Sequence, residues 1–522
     1  MDTDVLIVGA GPTGLMLANQ LARHGVDATI IDRHAGPARE TRALGVHART
    51  LEIYALLGVV ERALALGRRG TGANLWANGR HTARIPLGDA GRALSPYPFI
   101  LILGQDDNER ILGERLAESG RAVRWQTELV ALEQHADHVR VSLRHADGSV
   151  RQMTAAWVAG CDGAHSGVRT LSGIAFEGAA YEHVFYVADT QATGNMVADE
   201  VNAYLWRSGF HLLFPMRGTD HWRVVGIVPE PLRGRRDLAF EDVVGSLTGE
   251  SGSSVTFSRC SWFSTYRIHH RCAAQFRDRR CFLLGDAAHI HSPVGAQGMN
   301  TGLQDAFNLG WKLALVIGRG ARETLLDSYE AERLPVARRL LETTDRAFRL
   351  VVSDHPLAGM IRTRVIARVA ALAMRRPAVQ AFAFRTVSQI GIAYRDSPLS
   401  METQATSEGP RAGDRFPWAR LRLGADAAAT DVFVSIDDRR FTLIVVDEAA
   451  APDAGAFGDL VQTLVVAPGA DNDAGLARIA VRRPAFFLLR PDGHVGCCGS
   501  RVDGAVLTRY LDAVIGVPTR EP

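Results

Sequence analysis

"DVLIVGAGPTGLMLANQLARHGVDATIIDR", residues 4–33, decides the fold. An apolar run from Val5 to Gly9 precedes an apolar-periodic segment from Gly14 to His24, and a second apolar run covers Ala28 to Ile31. That order predicts strand, helix, strand. Between the first strand and the helix stands Gly9-Ala10-Gly11-Pro12-Thr13-Gly14. Gly9 permits a tight turn, Gly11 lets a pyrophosphate approach the backbone, Gly14 lets helix and strand pack, and the helix start supplies positive dipole. Asp32, at the end of the second strand, is placed to accept hydrogen bonds from a ribose. Glycine spacing alone would equally describe a structural turn; the full strand, turn, helix, strand and acid context predicts a dinucleotide site made by Gly9, Gly11, Pro12, Thr13, Gly14 and Asp32.

Far downstream, "LLGDAAHIHSPVGAQGMNTGLQDAFNLGWKLAL", residues 283–315, repeats the device: small residues and one acid ahead of a long apolar helix. A single carboxylate after a buried strand needs hydroxyl donors, which a sugar alcohol supplies, or else it caps the helix. Two such helix starts in one chain point to one extended ligand.

The chain has 522 residues, of which 47% are hydrophobic, enough for two or three cores. Lys and Arg number 59 against 57 Asp and Glu, a net charge of +2, so no field favours nucleic acid or a membrane surface and small ligands are expected. Six cysteines without metal-ligand spacing, two of them adjacent at Cys497-Cys498, predict reduced thiols. The start of the chain shows no export signal and no apolar run approaches ~18 residues, which predicts a cytoplasmic protein.

Further motifs follow. "CDGAHSGVR" occupies 161–169 and "SYEAERLP" 328–335. Together with the two stretches above, in this order and spacing, they resemble the FAD-dependent aromatic hydroxylases, the group A flavoprotein monooxygenases typified by p-hydroxybenzoate hydroxylase. The resemblance runs from residue 1 to about 400, and the tail resembles the thioredoxin-like domain of the larger phenol and polyketide hydroxylases. It implies an α/β fold: a Rossmann-like FAD-binding domain carrying an inserted antiparallel-sheet substrate domain, then a C-terminal thioredoxin-like α/β domain. The expected division is 1–180 and 271–395 for FAD and the long helices, 181–270 for the substrate sheet, 396–415 for a linker and 416–522 for the terminal domain. Terminal strands are expected near 431–436, 441–447, 461–466 and 485–490.

The resemblance also assigns roles. Asp286 contacts the ribityl chain of non-covalently bound FAD; Pro293, Gly295 and Gly298 leave room for the flat ring; the backbone of Met299 and Asn300 faces its pyrimidine edge. Arg42, in "TRALGVHARTLE", lies near the phosphates, Gln105, in "LILGQDDNERIL", contacts FAD, and Asp162 serves FAD and the nicotinamide nucleotide. NAD(P)H is the co-substrate, with Arg33 and Arg39 slightly favouring NADPH through its 2'-phosphate. Reduced flavin reacts with O2 to a C4a-hydroperoxide whose distal oxygen passes to an activated aromatic carbon, so no side-chain nucleophile is needed. Oxygen insertion beside a ketone (Baeyer-Villiger chemistry), epoxidation, and an FAD-binding redox regulator stand as alternatives. The expected partners are a small aromatic substrate and O2, with a homodimer left open.

On the substrate side, "NAYLWRSGFHLLFPM", residues 202–216, reads as a hairpin turning at Ser208-Gly209, with Trp206 opposite His211 and Tyr204 opposite Leu213. Leu205, Arg207, Phe210, Leu212, Phe214 and Met216 then lie mostly on the other face, the apolar ones either as substrate contacts or as ordinary sheet core. By resemblance, Leu205, Phe214, Met216 and Pro293 are the substrate-binding residues. The family's carboxylate-clamping arginine falls at Met216, and a thioether packs on rings but pairs with no carboxylate. A larger, less charged phenol is therefore expected. His211 is a proton relay or a structural histidine, and His289 and His291 are not expected to hold a metal.

Overall fold

A computed structural model describes residues 1–38, 43–206, 209–235, 237–250, 254–291, 295–352, 369, 372–403, 409–424, 428–447 and 454–516. The opening strand Thr3–Val8 runs parallel to Ala28–Ile31 on one side and to Val150–Gly160 on the other, and Val150–Gly160 runs parallel to Cys281–Leu283. Helix Pro12–Arg23 connects the first two strands, as the 3.6-residue periodicity requires. It packs along helix Gly298–Arg319, where a Cβ on Gly310 would stand 2.9 Å from that of Gln20. The three parallel strands end level: Val8 is opposite Gly160 and Gly160 opposite Leu283.

A second, eight-stranded sheet contains Phe176–Thr193, Val201–Trp206, Gly209–Pro215, His221–Ile227 and Thr256–Ala273. Ala73–Ala77 and Arg80–Ile85 complete its edge, so residues expected in the nucleotide-binding part join the sheet expected at 181–270. One face is closed by helix Phe240–Gly245: Tyr186, Tyr204, Leu213, Trp222 and Val224 share a buried cluster with Phe240 and Val243. The opposite face carries Leu205, Phe210 and Phe214, and Phe214 packs with Leu44, Ile100 and Ile102 of the nucleotide-binding body.

The terminal sheet follows the order Met401–Glu402, Val495–Gly499, Ala485–Leu489, Phe441–Val446, Val461–Val466. The strand expected near 431–436 is instead a short bridge at Thr430–Asp431 and a tight turn over Val432–Ser435. The Asp431 carboxylate accepts from Phe433 N at 2.9 Å and starts that turn, a local competition typical of Asp. Val495–Gly499 was missed because its glycines and cysteines carry little strand propensity.

The described residues of the polar stretch expected as a linker are packed against the body, with Leu399 and Ala412 buried. Arg415 forks onto Glu52 at 2.8 and 2.5 Å, and Ser397 Oγ donates to Glu332 Oε1 at 2.6 Å. Glu332 also takes Lys312 Nζ at 2.8 Å and Arg490 at 2.5 and 3.0 Å, all three side chains being fully buried. Burial alone would raise the Glu332 carboxyl, but Arg490 and Lys312 outweigh it and hold it at about 2. On Lys312 burial wins over Glu332, and the ammonium falls to about 8. Arg490 belongs to the terminal sheet region and Glu332 to helix Asp327–Val352, so a desolvated ionic cluster ties the two. Removing one member of such a cluster leaves an uncompensated buried charge. Arg490→Met is expected to cost about 3–5 kcal/mol in urea unfolding at pH 7.

Candidate functional site

Because the three parallel strands end level, Gly9, Cys161-Asp162 and Leu284-Gly285-Asp286 meet at one carboxyl edge, where open α/β sheets take ligands. Gly9 has φ +103°, and a Cβ there would lie 2.3 Å from the Cys161 carbonyl oxygen. At Gly11 a Cβ would meet nothing within 4 Å, so the turn exposes its backbone to open space. Thr13 does not face outward alone: its Oγ1 lies 2.7 Å from where a Gly285 Cβ would stand and 2.4 Å from one on Gly302. It thus wedges the first glycine turn against the late one.

Asp32 accepts from Ala10 N at 2.8 Å through Oδ2 and from His34 N at 2.8 Å through Oδ1. It shapes the turn and keeps part of its surface exposed, while Arg33 beside it is exposed. Gln105 is half-buried at the start of helix Gln105–Glu118 and donates to Glu109 Oε1 at 2.9 Å; the other Glu109 oxygen accepts from Ala38 N at 3.0 Å. Arg39 and Arg42, like Pro293, lie outside the described residues.

Asp162 accepts from Gly167 N at 2.7 Å and Val168 N at 3.1 Å through Oδ2, which caps helix Gly167–Leu171. Its Oδ1 is buried without a partner, and burial holds the carboxyl above its ordinary value. Arg169 donates to the Ala287 carbonyl at 2.8 Å, binding this stretch to the Gly285–Ala287 turn from which the exposed Asp286 projects.

In helix Gly298–Arg319, Thr301 N donates to Gln297 O at 2.9 Å, so the N–H groups of Gly298, Met299 and Asn300 precede the intrahelical ladder. The Asn300 side chain is not directed at a ligand. It donates to Gly45 O and Ala296 O, both at 2.8 Å, and accepts from His47 N at 2.9 Å and Thr50 Oγ1 at 2.7 Å. The three bonds to Gly45, His47 and Thr50 fasten the helix start to the segment around His47. The His47 Nε2 lies 2.8 Å from the Gly295 carbonyl, and burial pushes the imidazole down to about 4, so it is a neutral donor at pH 7.

An FAD molecule fits these residues: backbone space at Gly11 for phosphate, an exposed carboxylate at Asp286 and the partnerless Oδ1 of Asp162 for hydroxyls, and a helix start for a flavin edge.

The hairpin pairs Trp206 with Gly209, Leu205 with Phe210 and Tyr204 with His211, so Gly209 lies in the strand and not in the turn expected at Ser208-Gly209. The expected partners were each two residues out of register; because two is the strand period, the faces are those expected. Phe214 and Met216 are half-buried beside Leu44 and Ile102, Leu205 is buried, and Arg68 donates to the Met216 carbonyl at 3.0 Å. His211 sits on the closed face between Tyr204 and Trp206, 5.2 and 4.6 Å from their rings, and burial drops it to about 3. It is a core histidine and relays no proton at neutral pH. His289 Nε2 is 2.8 Å from Asp305, also in the core.

One pair on the open face escaped sequence reasoning. Arg223, directly opposite Phe214, forks onto Asp189 with two bonds of 2.6 Å under the ring of Trp262. The signal was present in the alternation of "HWRVVGI" but needed the pairing of His221–Ile227 with two other strands.

The chain matches the model of the FAD binding domain family over residues 2–344. It is 35% identical to 6-methylpretetramide 4-monooxygenase of Streptomyces rimosus, covering 98% of this chain and 94% of that protein. It is 32% identical to pentachlorophenol 4-monooxygenase of Sphingobium chlorophenolicum, covering 98% and 97%. The structure of OxyS anhydrotetracycline hydroxylase from Streptomyces rimosus superposes with a TM-score of 0.79 at 29% identity, covering 99% of this chain and all of that one.

Asp286→Ala is expected to lower FAD retention on gel filtration, with unchanged flavin occupancy counting against a ribityl role. A second outcome concerns pH. The folded His211 titrates near 3 against 6.5 in the unfolded chain, so its contribution to stability is complete above pH 6.5 and is lost as pH falls. Urea midpoints should fall more steeply from pH 6.5 to 4.5 for the wild type than for His211→Phe, the difference approaching about 1.4 kcal/mol per pH unit.

Proposed function

Because this chain belongs to the FAD-binding family of flavin-dependent aromatic monooxygenases, we propose that it hydroxylates a phenolic or polycyclic aromatic substrate, with NAD(P)H and O2 as co-substrates. When bound, FAD supplies hydride acceptance and oxygen activation, the steps no side chain performs. The protein's part is positioning and charge. Gly9, Gly11 and Asp32 hold the adenosine and phosphate end, Asp162 and Asp286 accept from sugar hydroxyls, and Arg33 favours NADPH slightly over NADH. The first turn of helix Gly298–Arg319 offers the backbone donors of Met299 and Asn300 to the pyrimidine edge, where an aligned helix start stabilises negative charge by about 0.3–2 kcal/mol.

The observation that carries the substrate class is the chemistry of the open sheet face. Leu205, Phe210, Phe214 and Met216 are apolar, and its buried cation, Arg223, already holds Asp189 through two bonds. Among the described residues of that face the buried guanidinium is thus already paired, whereas Met216 and Phe214 suit an aromatic surface. This supports a larger, weakly charged phenol over a small hydroxybenzoate.

The terminal domain supports a thioredoxin-like scaffold without redox function. Burial pushes the Cys497 thiol to about 12 and the Cys498 thiol to about 11, so neither is a thiolate nucleophile at neutral pH.

The test is NAD(P)H and O2 consumption by the FAD-loaded enzyme with a panel of hydroxybenzoates, alkylated phenols and polycyclic phenols. Bulky phenols should stimulate oxidation and gain one oxygen on a ring carbon. Preference for small hydroxybenzoates would sink the size argument, a lactone or ester product would favour insertion beside a ketone, and oxidation that no phenol stimulates would favour a redox regulator.

A further inference from the structure

Behind the exposed Asp286 lies a chain of buried groups. Asp305, 0% exposed, accepts from Gly285 N at 3.0 Å, the residue that precedes Asp286. The same Oδ2 lies 2.8 Å from His289 Nε2, and Oδ1 accepts from Arg333 Nε at 2.6 Å. Arg333, also 0% exposed, donates through Nη2 to the Thr301 carbonyl at 3.2 Å and through Nη1 to the Tyr394 hydroxyl at 2.8 Å. Tyr394 in turn lies against the imidazole of His494, 4.4 Å between rings, with the Arg490 guanidinium 5.4 Å from its centre.

Two features distinguish this array from ordinary core. A buried ion pair adds little stability over apolar residues of the same volume, because desolvation offsets attraction. And the bonds of Asp305 and Arg333 end on the two segments that flank the candidate site, the 285–289 turn and the first turn of helix Gly298–Arg319. Gln389 adds to the second by donating to Thr301 Oγ1 at 2.9 Å while accepting from Gln304 at 2.6 Å. One rigid side-chain pair therefore sets the distance between the carboxylate at Asp286 and the helix start at Met299. Burial would raise the Asp305 carboxyl, but Arg333 and His289 hold it below its ordinary value, so it is an acceptor of all three bonds at pH 7.

We propose that Asp305 and Arg333 are positioning residues for the flavin, which fix the Asp286 turn relative to the start of helix Gly298–Arg319, and that Tyr394 extends this hold to the terminal domain. The proposal rests on the FAD reading above. It gives the terminal domain, which lacks thiol chemistry, a role in cofactor geometry.

The experiment compares wild type, Asp305→Asn, Tyr394→Phe, Asp286→Ala and the Asp305/Asp286 double variant by FAD titration of apoprotein prepared from the holoenzyme, by the visible spectrum of bound flavin and by melting temperature. Asp438→Asn is the control: its carboxylate pairs with Arg23 across the domain contact, away from Asp305. Asp305→Asn should weaken FAD binding about tenfold or more. Tyr394→Phe should weaken it severalfold and shift the flavin absorption band, and the Asp305 and Asp286 effects should not multiply. The control should lower the melting temperature with FAD affinity and spectrum unchanged. Wild-type affinity and spectrum in Tyr394→Phe, or strictly multiplicative Asp305 and Asp286 effects, would overturn the proposal. If Asp305→Asn does not fold, Tyr394→Phe decides it. A wild type that takes up no FAD would overturn the flavin reading itself, and this proposal with it.

Discussion

Parallel pairing of four short strands is the constraint on which the site depends. Parallel strands must all present their carboxyl ends at one edge, and the register here brings Val8, Gly160 and Leu283 to the same level. Whatever follows each strand is then forced into one neighbourhood, although the three segments are far apart in sequence. The backbone at that edge is crowded: Gly9 meets Cys161, and Thr13 meets Gly285 and Gly302. Small residues occur there because neighbouring chain and ligand surface both claim the space.

Charge is handled by the same economy of position. Nearly every buried ion is held by a partner with matching geometry: Asp305 by Arg333, Glu332 by Lys312 and Arg490, Glu52 by Arg415, Asp189 by Arg223. Such pairs contribute modestly to stability relative to apolar packing, but they are intolerant of displacement, since moving one partner strands the other. They are suited to fixing how the terminal domain and the nucleotide-binding body meet. By contrast, Asp162 at the sheet edge keeps one buried carboxylate oxygen without a partner.

The sequence was most informative where local chemistry and local structure coincide. The turn at Gly9 to Gly14 and the late turn at Gly285-Asp286 were legible because strand, glycine and helix are contiguous there, and period-2 alternation placed Phe214 and Met216 on the open face. It misled where a local interaction competes with propensity, as at Asp431, and where strand pairing sets register, as between Trp206 and Gly209. Asn300 was expected at the ligand through its backbone, yet three of the four bonds of its side chain, to Gly45, His47 and Thr50, join groups remote in sequence and could not be foreseen.

By itself, then, the amino-acid order determined the fold class, the two glycine turns at the sheet's carboxyl edge and the apolar character of the open sheet face, because these follow from periodicity and from residues adjacent in the chain. Tertiary structure alone decided that Ala73–Ile85 joins the second sheet, that Arg223 is neutralised by Asp189, and that Asp305 reaches Gly285, Arg333 and, through it, Tyr394. Those are pairings between distant segments. A buried charge finds its partner only after the strands and helices that carry both have packed, and no local pattern records which of many arginines and carboxylates will meet.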